Sequence, residues 1–157
     1  MLDLILIRHA HAGPHIEPDF ERKLSNRGEI EAQQAAQVLK YSSHNPGLWL
    51  VSAASRTIQT ADILLESNEN LLSDRKNDSK WYEGTAGMYQ NYLELESYTT
   101  IYLIAHNPSI SQLASCLSNT NILMETGNIV HLHWNNLDQW SEITKASAAV
   151  NYHFYGK

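Results

Sequence analysis

Five residues of this sequence could together do chemistry on an anion: Arg8, His9, Arg22, Arg56 and His106. Arg8 and His9 end the apolar run Leu4-Ile5-Leu6-Ile7. His106 ends a second run, Thr99-Thr100-Ile101-Tyr102-Leu103-Ile104-Ala105, and Arg56 follows a third, Leu48-Trp49-Leu50-Val51-Ser52, after a short turn. Apolar runs without alternation are the pattern of strands covered on both faces, as in the middle of a parallel sheet. The carboxyl edge of such a sheet is where ligands bind. Arg22 leads out of the polar, proline-containing stretch His11 to Glu21. That stretch is long for a connection between a strand and a helix, and long loops in compact domains are usually functional.

Three guanidiniums suit a dianionic phosphoryl group, because their donor forks match its oxygens. Two imidazoles among three arginines are pushed toward the neutral form, since like charge disfavours the imidazolium. A neutral imidazole is what a nucleophile requires. The chemistry this suggests is attack by His9 on phosphorus, a phosphohistidine intermediate, and hydrolysis by water. The arginines and His106 would donate to the equatorial oxygens in the transition state. The sequence has no Walker-type glycine-rich loop and no carboxylate cluster spaced for a metal. No cofactor and no metal are therefore expected, the cations standing where a magnesium ion otherwise would.

The elements that must position these residues can be read in order. Ser25 is a plausible N-cap for a helix through Lys40, with Ala32, Ala35, Ala36 and Leu39 as its apolar stripe. Asn45-Pro46-Gly47 marks a turn before the strand at Leu48. A helix then carries Ile58, Ala61, Ile63, Leu64 and Leu65, with Arg56 in its first turn. The macrodipole disfavours a cation there unless an anion is also present. Ser67 to Ser79 reads as an exposed loop, and Lys80-Trp81-Tyr82-Glu83 as a short strand. A further helix would be capped by Thr85, with Met88, Tyr92, Leu93 and Leu95 apolar. Asn107 as N-cap and Pro108 at the first helical position open another helix. The free N–H groups of that start would face the site, which puts Asn107 among the phosphate-binding residues. Strands are expected at Ile129 to Trp134 and Val150 to Tyr155. The expectation is one α/β domain over residues 1–157. It is a three-layer sandwich, with a mostly parallel sheet, helices on both faces and an antiparallel strand near an edge.

Composition narrows the function. The 157 residues are 43% apolar and 18% charged, with a formal net charge of −6. That balance argues against a general nucleic-acid binder, which needs a basic face. No stretch approaches the roughly 18 apolar residues of a membrane span. The first residues lack a charged n-region and a small-residue cleavage site, so a cytoplasmic location is expected. The single cysteine, Cys116, rules out an internal disulfide and fits a reducing compartment; its surroundings read as an apolar helix face and the residue as a core thiol. His131 and His133 share a face of their strand. With no third ligand evident nearby, they read as solvent-face histidines, and His11 as a solvated loop residue.

At these motifs the chain resembles the histidine phosphatase superfamily, which includes the phosphoglycerate mutases, and within it the short SixA-type phosphohistidine phosphatases. Leu6-Ile7-Arg8-His9-Ala10 resembles the family signature. Glu21 through Gly28, Ser52 through Ala61, and Ala105-His106-Asn107-Pro108 continue the likeness, as do Glu125-Thr126-Gly127 and Trp140. The resemblance implies a phosphoglycerate mutase-like fold, His9 as nucleophile, and a phosphate pocket of Arg8, Arg22, Arg56 and His106. Where relatives often have proline after the serine of the second motif, this chain has Ala53. His11 stands where a charged residue is more common.

Larger relatives supply a general acid from the region after the third strand, and Glu83 is the candidate there; the alternative is a surface glutamate before a helix. Phosphohistidine protonated on its other ring nitrogen leaves as neutral imidazole, whose conjugate acid has a pKa of about 6.5, so a short enzyme without a dedicated acid can still cleave P–N bonds. The expected substrate is phosphohistidine on a protein. The rival within enzymes is a phosphatase or mutase for small phosphorylated metabolites, and outside them a non-catalytic phosphate-binding module.

Overall fold

A computed structural model describes residues 1–15, 18–144 and 146–155. The four parallel strands are β1 (Leu2–Arg8), β2 (Gly47–Ser52), β3 (Leu72–Asp78) and β4 (Thr100–Ala105). With β5 (Ile129–Trp134) and β6 (Ala149–Phe154) they form one sheet in the order β3-β2-β4-β1-β5-β6. β5 runs antiparallel to both β1 and β6. The helices are α1 (Asn26–Tyr41), α2 (Ser55–Glu66), α3 (Lys80–Glu83), α4 (Ala86–Leu93) and α5 (Ser109–Ser118).

Alternate residues of the central strands feed two cores. Ile5, Ile7, Trp49, Val51, Tyr102 and Ile104 meet α1 and α2 on one face. Leu4, Leu6, Leu50, Leu103 and their neighbours meet α4 and α5 on the other. This is the expected three-layer sandwich, with β5 as the antiparallel strand next to one edge. Every residue of β2 and β4 is buried, which is why both read as unbroken apolar runs.

The start of α1 is set by two contacts. Ser25 accepts from the Gly28 N–H at 3.0 Å, the expected N-cap. A Cβ on Gly28 would lie only 2.0 Å from the His11 carbonyl oxygen, so α1 can approach the loop after β1 only with glycine there.

Four expectations are corrected. Within the expected loop Ser67 to Ser79 lies β3, an edge strand whose polar side chains are almost all exposed; its pairing is carried by main chain, which leaves no apolar pattern to read. Lys80–Glu83 is a helical turn, not a strand. In α4 the buried residues are Tyr89 and Leu93, while Met88 and Leu95 are exposed. Cys116 is exposed, because it lies one helical step, about 100°, from buried Leu117.

Among the described residues, no helix is long and apolar enough to cross a membrane.

Candidate active site

The carboxyl ends of β1, β2 and β4 meet at one edge of the sheet, and the predicted residues gather there. His9 follows β1, Arg56 sits in the first turn of α2 and His106 follows β4; all three are buried. The His9 and His106 ring centroids are 5.1 Å apart. Arg56 Nε lies 3.4 Å from His9 Nε2.

The hydrogen bonds fix the tautomer of His9 and admit a matching one for His106. His9 Nδ1 is 2.7 Å from the Ala10 carbonyl, which can only accept, so the proton is on Nδ1 and the lone pair is on Nε2, toward Arg56. His106 Nε2 is 2.7 Å from Ser52 Oγ. That hydroxyl also accepts from the Ala54 N–H at 3.4 Å. Ser52 can thus give its own proton to His106 Nε2, which leaves the N–H on His106 Nδ1. His106 Nδ1, Arg8 Nε and Arg22 Nε are all buried without a hydrogen-bond partner among the described residues. They are three donors suited to an oxyanion.

Burial drives both imidazoles toward neutrality. His9 is pushed down to about 3, by burial first and then by Arg56, Arg8 and Arg22, against the hydrogen bond to Ala10. His106 is pushed down to about 2, by burial and then by His9, Arg56 and Arg8, against Asp19. Folding therefore excludes protons that the unfolded chain would bind below pH 6.5. Stability is full above about pH 6.5 and falls as pH drops through the interval down to the folded values. The thermal midpoint at about pH 5 should lie below that at about pH 7.5; an equal or higher midpoint at the lower pH would contradict these shifts.

Asp19, in a short 3-10 turn (Asp19–Glu21), was not singled out by the sequence. Its Oδ2 accepts from Arg56 Nη2 at 3.0 Å and from the Tyr82 hydroxyl at 2.7 Å. Its Oδ1 accepts from Arg22 Nη1 at 2.9 Å, and its carbonyl from Arg56 Nη1 at 2.8 Å. The Tyr82 hydrogen bond, with Arg56 and Arg22, holds this carboxyl well below the usual carboxylate range. Asp19 is the anion that a cation in the first turn of α2 demanded.

Tyr82 is the contribution of α3, its ring edge-on to His106 with centroids 5.2 Å apart. Glu83 is exposed, and no contact joins it to the cluster among the described residues. A helical turn rotates successive side chains by about 100°, so one residue of α3 enters the pocket and the next leaves it.

Asn107 does not cap α5. The residue flanking that helix is Pro108, and Asn107 Nδ2 donates to the Met124 carbonyl at 2.8 Å, while its Oδ1 accepts from Ser111 at 2.6 Å. Arg8 Nη1 donates to the same Met124 carbonyl at 3.0 Å, so Asn107 helps position Arg8. The Gly127 N–H reaches the carbonyls of Arg8 and His9 at 3.2 and 3.1 Å. Gly127 has φ +74°, and a Cβ there would press on Glu31. Glu31 is buried on α1 and accepts from the His11 N–H at 2.8 Å. His11 is not a free loop residue either, since its Nδ1 lies 2.7 Å from Ser25 Oγ.

The architecture is that of the histidine phosphatase, or phosphoglycerate mutase-like, fold. Its particular form is that of the short SixA structures. A chain from Nakamurella multipartitia assigned as phosphohistidine phosphatase SixA superposes with a TM-score of 0.85 at 19% identity, covering 99% of this chain and 96% of that one. The protein histidine phosphatase SixA complexed with tungstate gives 0.82 at 21% identity, covering 98% and 97%. A mycobacterial glucosyl-3-phosphoglycerate phosphatase complexed with VO3 gives 0.70 at 16% identity, covering 100% of both chains. A protein of Arabidopsis thaliana, described as uncharacterized and chloroplastic, is 32% identical over 137 residues, 80% of this chain. The chain spans 63% of that relative's length. No protein-family model matches the chain.

Proposed function

We propose that this chain is a single-domain phosphatase of the SixA type, acting on phosphohistidine in a protein through a phosphohistidine intermediate at His9. The observation that carries the reading is His9 Nε2, an unprotonated nitrogen whose lone pair meets only a long 3.4 Å hydrogen bond from Arg56 Nε, set beside the unpartnered donors of Arg8, Arg22 and His106. The SixA structures support it through the fold.

The chemistry follows from the tautomers. A substrate phosphohistidine, protonated on its second ring nitrogen, presents its phosphoryl oxygens to the three arginines. His9 Nε2 attacks phosphorus, the substrate P–N bond breaks, and neutral imidazole leaves. The positive charge now on the His9 ring sits on Nδ1–H, against the Ala10 carbonyl. Water then attacks phosphorus, the bond to His9 Nε2 breaks, and dihydrogen phosphate is released with His9 restored. The N–H of His106 and the guanidiniums hold charge on the equatorial oxygens in both steps. No step consumes a proton from the protein. That suits a site in which Glu83 is turned outward and the nearby carboxyl, Asp19, is held ionised. An alkoxide leaving group would need such a proton.

In this reading the enzyme works in a reducing aqueous compartment, the cytoplasm. The chloroplastic description of the Arabidopsis relative makes cell fractionation the way to decide between that and a plastid.

The test compares three substrates at equal concentration: a phosphohistidine-bearing protein, a phosphoserine peptide and a small sugar phosphate. Phosphohistidine should be cleaved with the highest kcat/KM, and Glu83→Gln should leave that rate within about twofold. Faster turnover of the sugar phosphate would replace the protein substrate by a metabolite. No turnover of any of them, nor of an aryl phosphate, would make the chain a phosphate-binding module.

A further inference from the structure

At the opposite end of β1 from His9, two imidazoles converge on one carboxylate oxygen. Asp3 lies directly across from His133 in the β1–β5 ladder, and His131 lies across from Ile5, so the three side chains share one face. His131 Nε2 is 2.7 Å and His133 Nδ1 2.8 Å from Asp3 Oδ1. The ligating atoms of the three residues all fall within 4.8 Å of one another. Six residue steps separate Asp3 from His9, about 20 Å at 3.3 Å per residue. The cluster is therefore independent of the phosphate pocket.

The geometry points to a divalent transition-metal site, best suited to zinc, formed by Asp3, His131 and His133. Three observations carry it. Two nitrogens and one oxygen suit zinc, whereas calcium and magnesium take oxygen ligands. All three ligands stand on adjacent paired strands, which fix their relative positions better than loops would.

The third observation is an outer partner that leaves the inward nitrogen of His133 available. His133 Nε2 lies 2.7 Å from Asn135 Oδ1, which can only accept; a proton kept on Nε2 leaves the Nδ1 lone pair for a metal. Asn151 Nδ2 donates to His131 Nδ1 at 3.4 Å, so in the metal-free protein the His131 proton is on Nε2, toward Asp3, and binding an ion there releases it. Second partners of this kind orient metal-binding histidines.

The contacts at 2.7 and 2.8 Å are the spacing of groups joined by protons. Around a tetrahedral zinc with bonds of about 2.0–2.1 Å, ligand atoms sit about 3.3 Å apart. Metal binding thus moves the Asp3 oxygen outward by about 0.5 Å, which rotation of the aspartate side chain allows. Asp3 and His133 are partly open to solvent, at 16% and 15% side-chain exposure, so an ion can enter and water can take the fourth position. His44, its ring 4.8 Å from that of His131, is held by the Tyr152 hydroxyl and stays outside the ligand set.

The test titrates metal-free protein with zinc chloride in phosphate-free buffer and reads heat and thermal midpoint, with cobalt(II) as a visible-absorption probe. One equivalent of zinc should bind and raise the midpoint, and cobalt should give the intense bands of a four-coordinate site. His133→Gln and Asp3→Asn should each weaken zinc binding on the order of 10²-fold, at or above the 10–100-fold worth of an outer-shell partner. His133→Gln, at the more open ligand, keeps the test valid if Asp3→Asn does not fold. It should leave turnover of an aryl phosphate unchanged, and His9→Ala should bind zinc as the parent does. Absence of a zinc-dependent shift, or undiminished zinc binding in His133→Gln, would mean that protons alone hold this cluster. Loss of zinc binding in His9→Ala would move the ion to the phosphate pocket, and either result overturns the proposal.

Discussion

His9→Ala should remove turnover on phosphohistidine and on a generic aryl phosphate alike, by on the order of 10⁴–10⁶-fold, the scale seen when a covalent nucleophile is deleted. No neighbour can take over. His106 turns Nε2 to Ser52, and its other nitrogen carries the proton when Ser52 donates. Because Arg8, Arg22 and Arg56 remain, competitive inhibition by inorganic phosphate in a residual-activity or direct binding assay should change by less than about tenfold. Trapping with radiolabelled substrate, quenched in alkali, should label the parent chain and leave His9→Ala unlabelled. Near-native turnover in His9→Ala, or label retained without His9, would reject the covalent route.

Arg56→Ala should lower kcat by about 10²–10³-fold, the usual worth of one preorganised transition-state donor. The guanidinium is buried and fixed from two sides, by the Asp19 carbonyl and carboxylate. Its Nε is also the group nearest the His9 lone pair. Arg56→Lys should recover little, because an ammonium cannot reproduce three donors in a plane. Steady-state rates on an aryl phosphate measure both variants. A loss below tenfold in Arg56→Ala would show that this residue binds Asp19 and does little for phosphorus.

What the sequence made legible was decided by how each segment is covered. β1, β2 and β4 are buried on both faces and announce themselves as apolar runs, and with them came His9, Arg56 and His106. α1 was readable from its cap and its alanine stripe. β3 was not, because an edge strand paired only through main chain keeps polar side chains on view. Asp19 was missed because its partners, Arg56 and Tyr82, lie 37 and 63 residues away along the chain. One signal did point to it, the arginine in a first helical turn that lacked a nearby anion. Glu83 was named because larger relatives supply a carboxylate from this region, whereas the helical turn of α3 brings Tyr82 rather than Glu83 against His106. His131 and His133 read as a pair without a third ligand, since Asp3 joins them only through the antiparallel register.

The contacts of Asp19 also bear on what the pocket can discriminate. A carboxylate tethered against Arg22 and Arg56 acts as an internal competitor at fixed effective concentration. An incoming phosphate, whether substrate or product, finds Arg8 Nε, Arg22 Nε and His106 Nδ1 open, but gains the Nη donors of Arg22 and Arg56 only where this carboxylate yields them. The apparent affinity of each is then divided by the same factor. Such a competitor speeds departure of inorganic phosphate from a strongly cationic cleft without altering preference among esters and phosphoramidates. Selectivity must therefore come from the group attached to phosphorus, through its leaving ability and its fit against the rim.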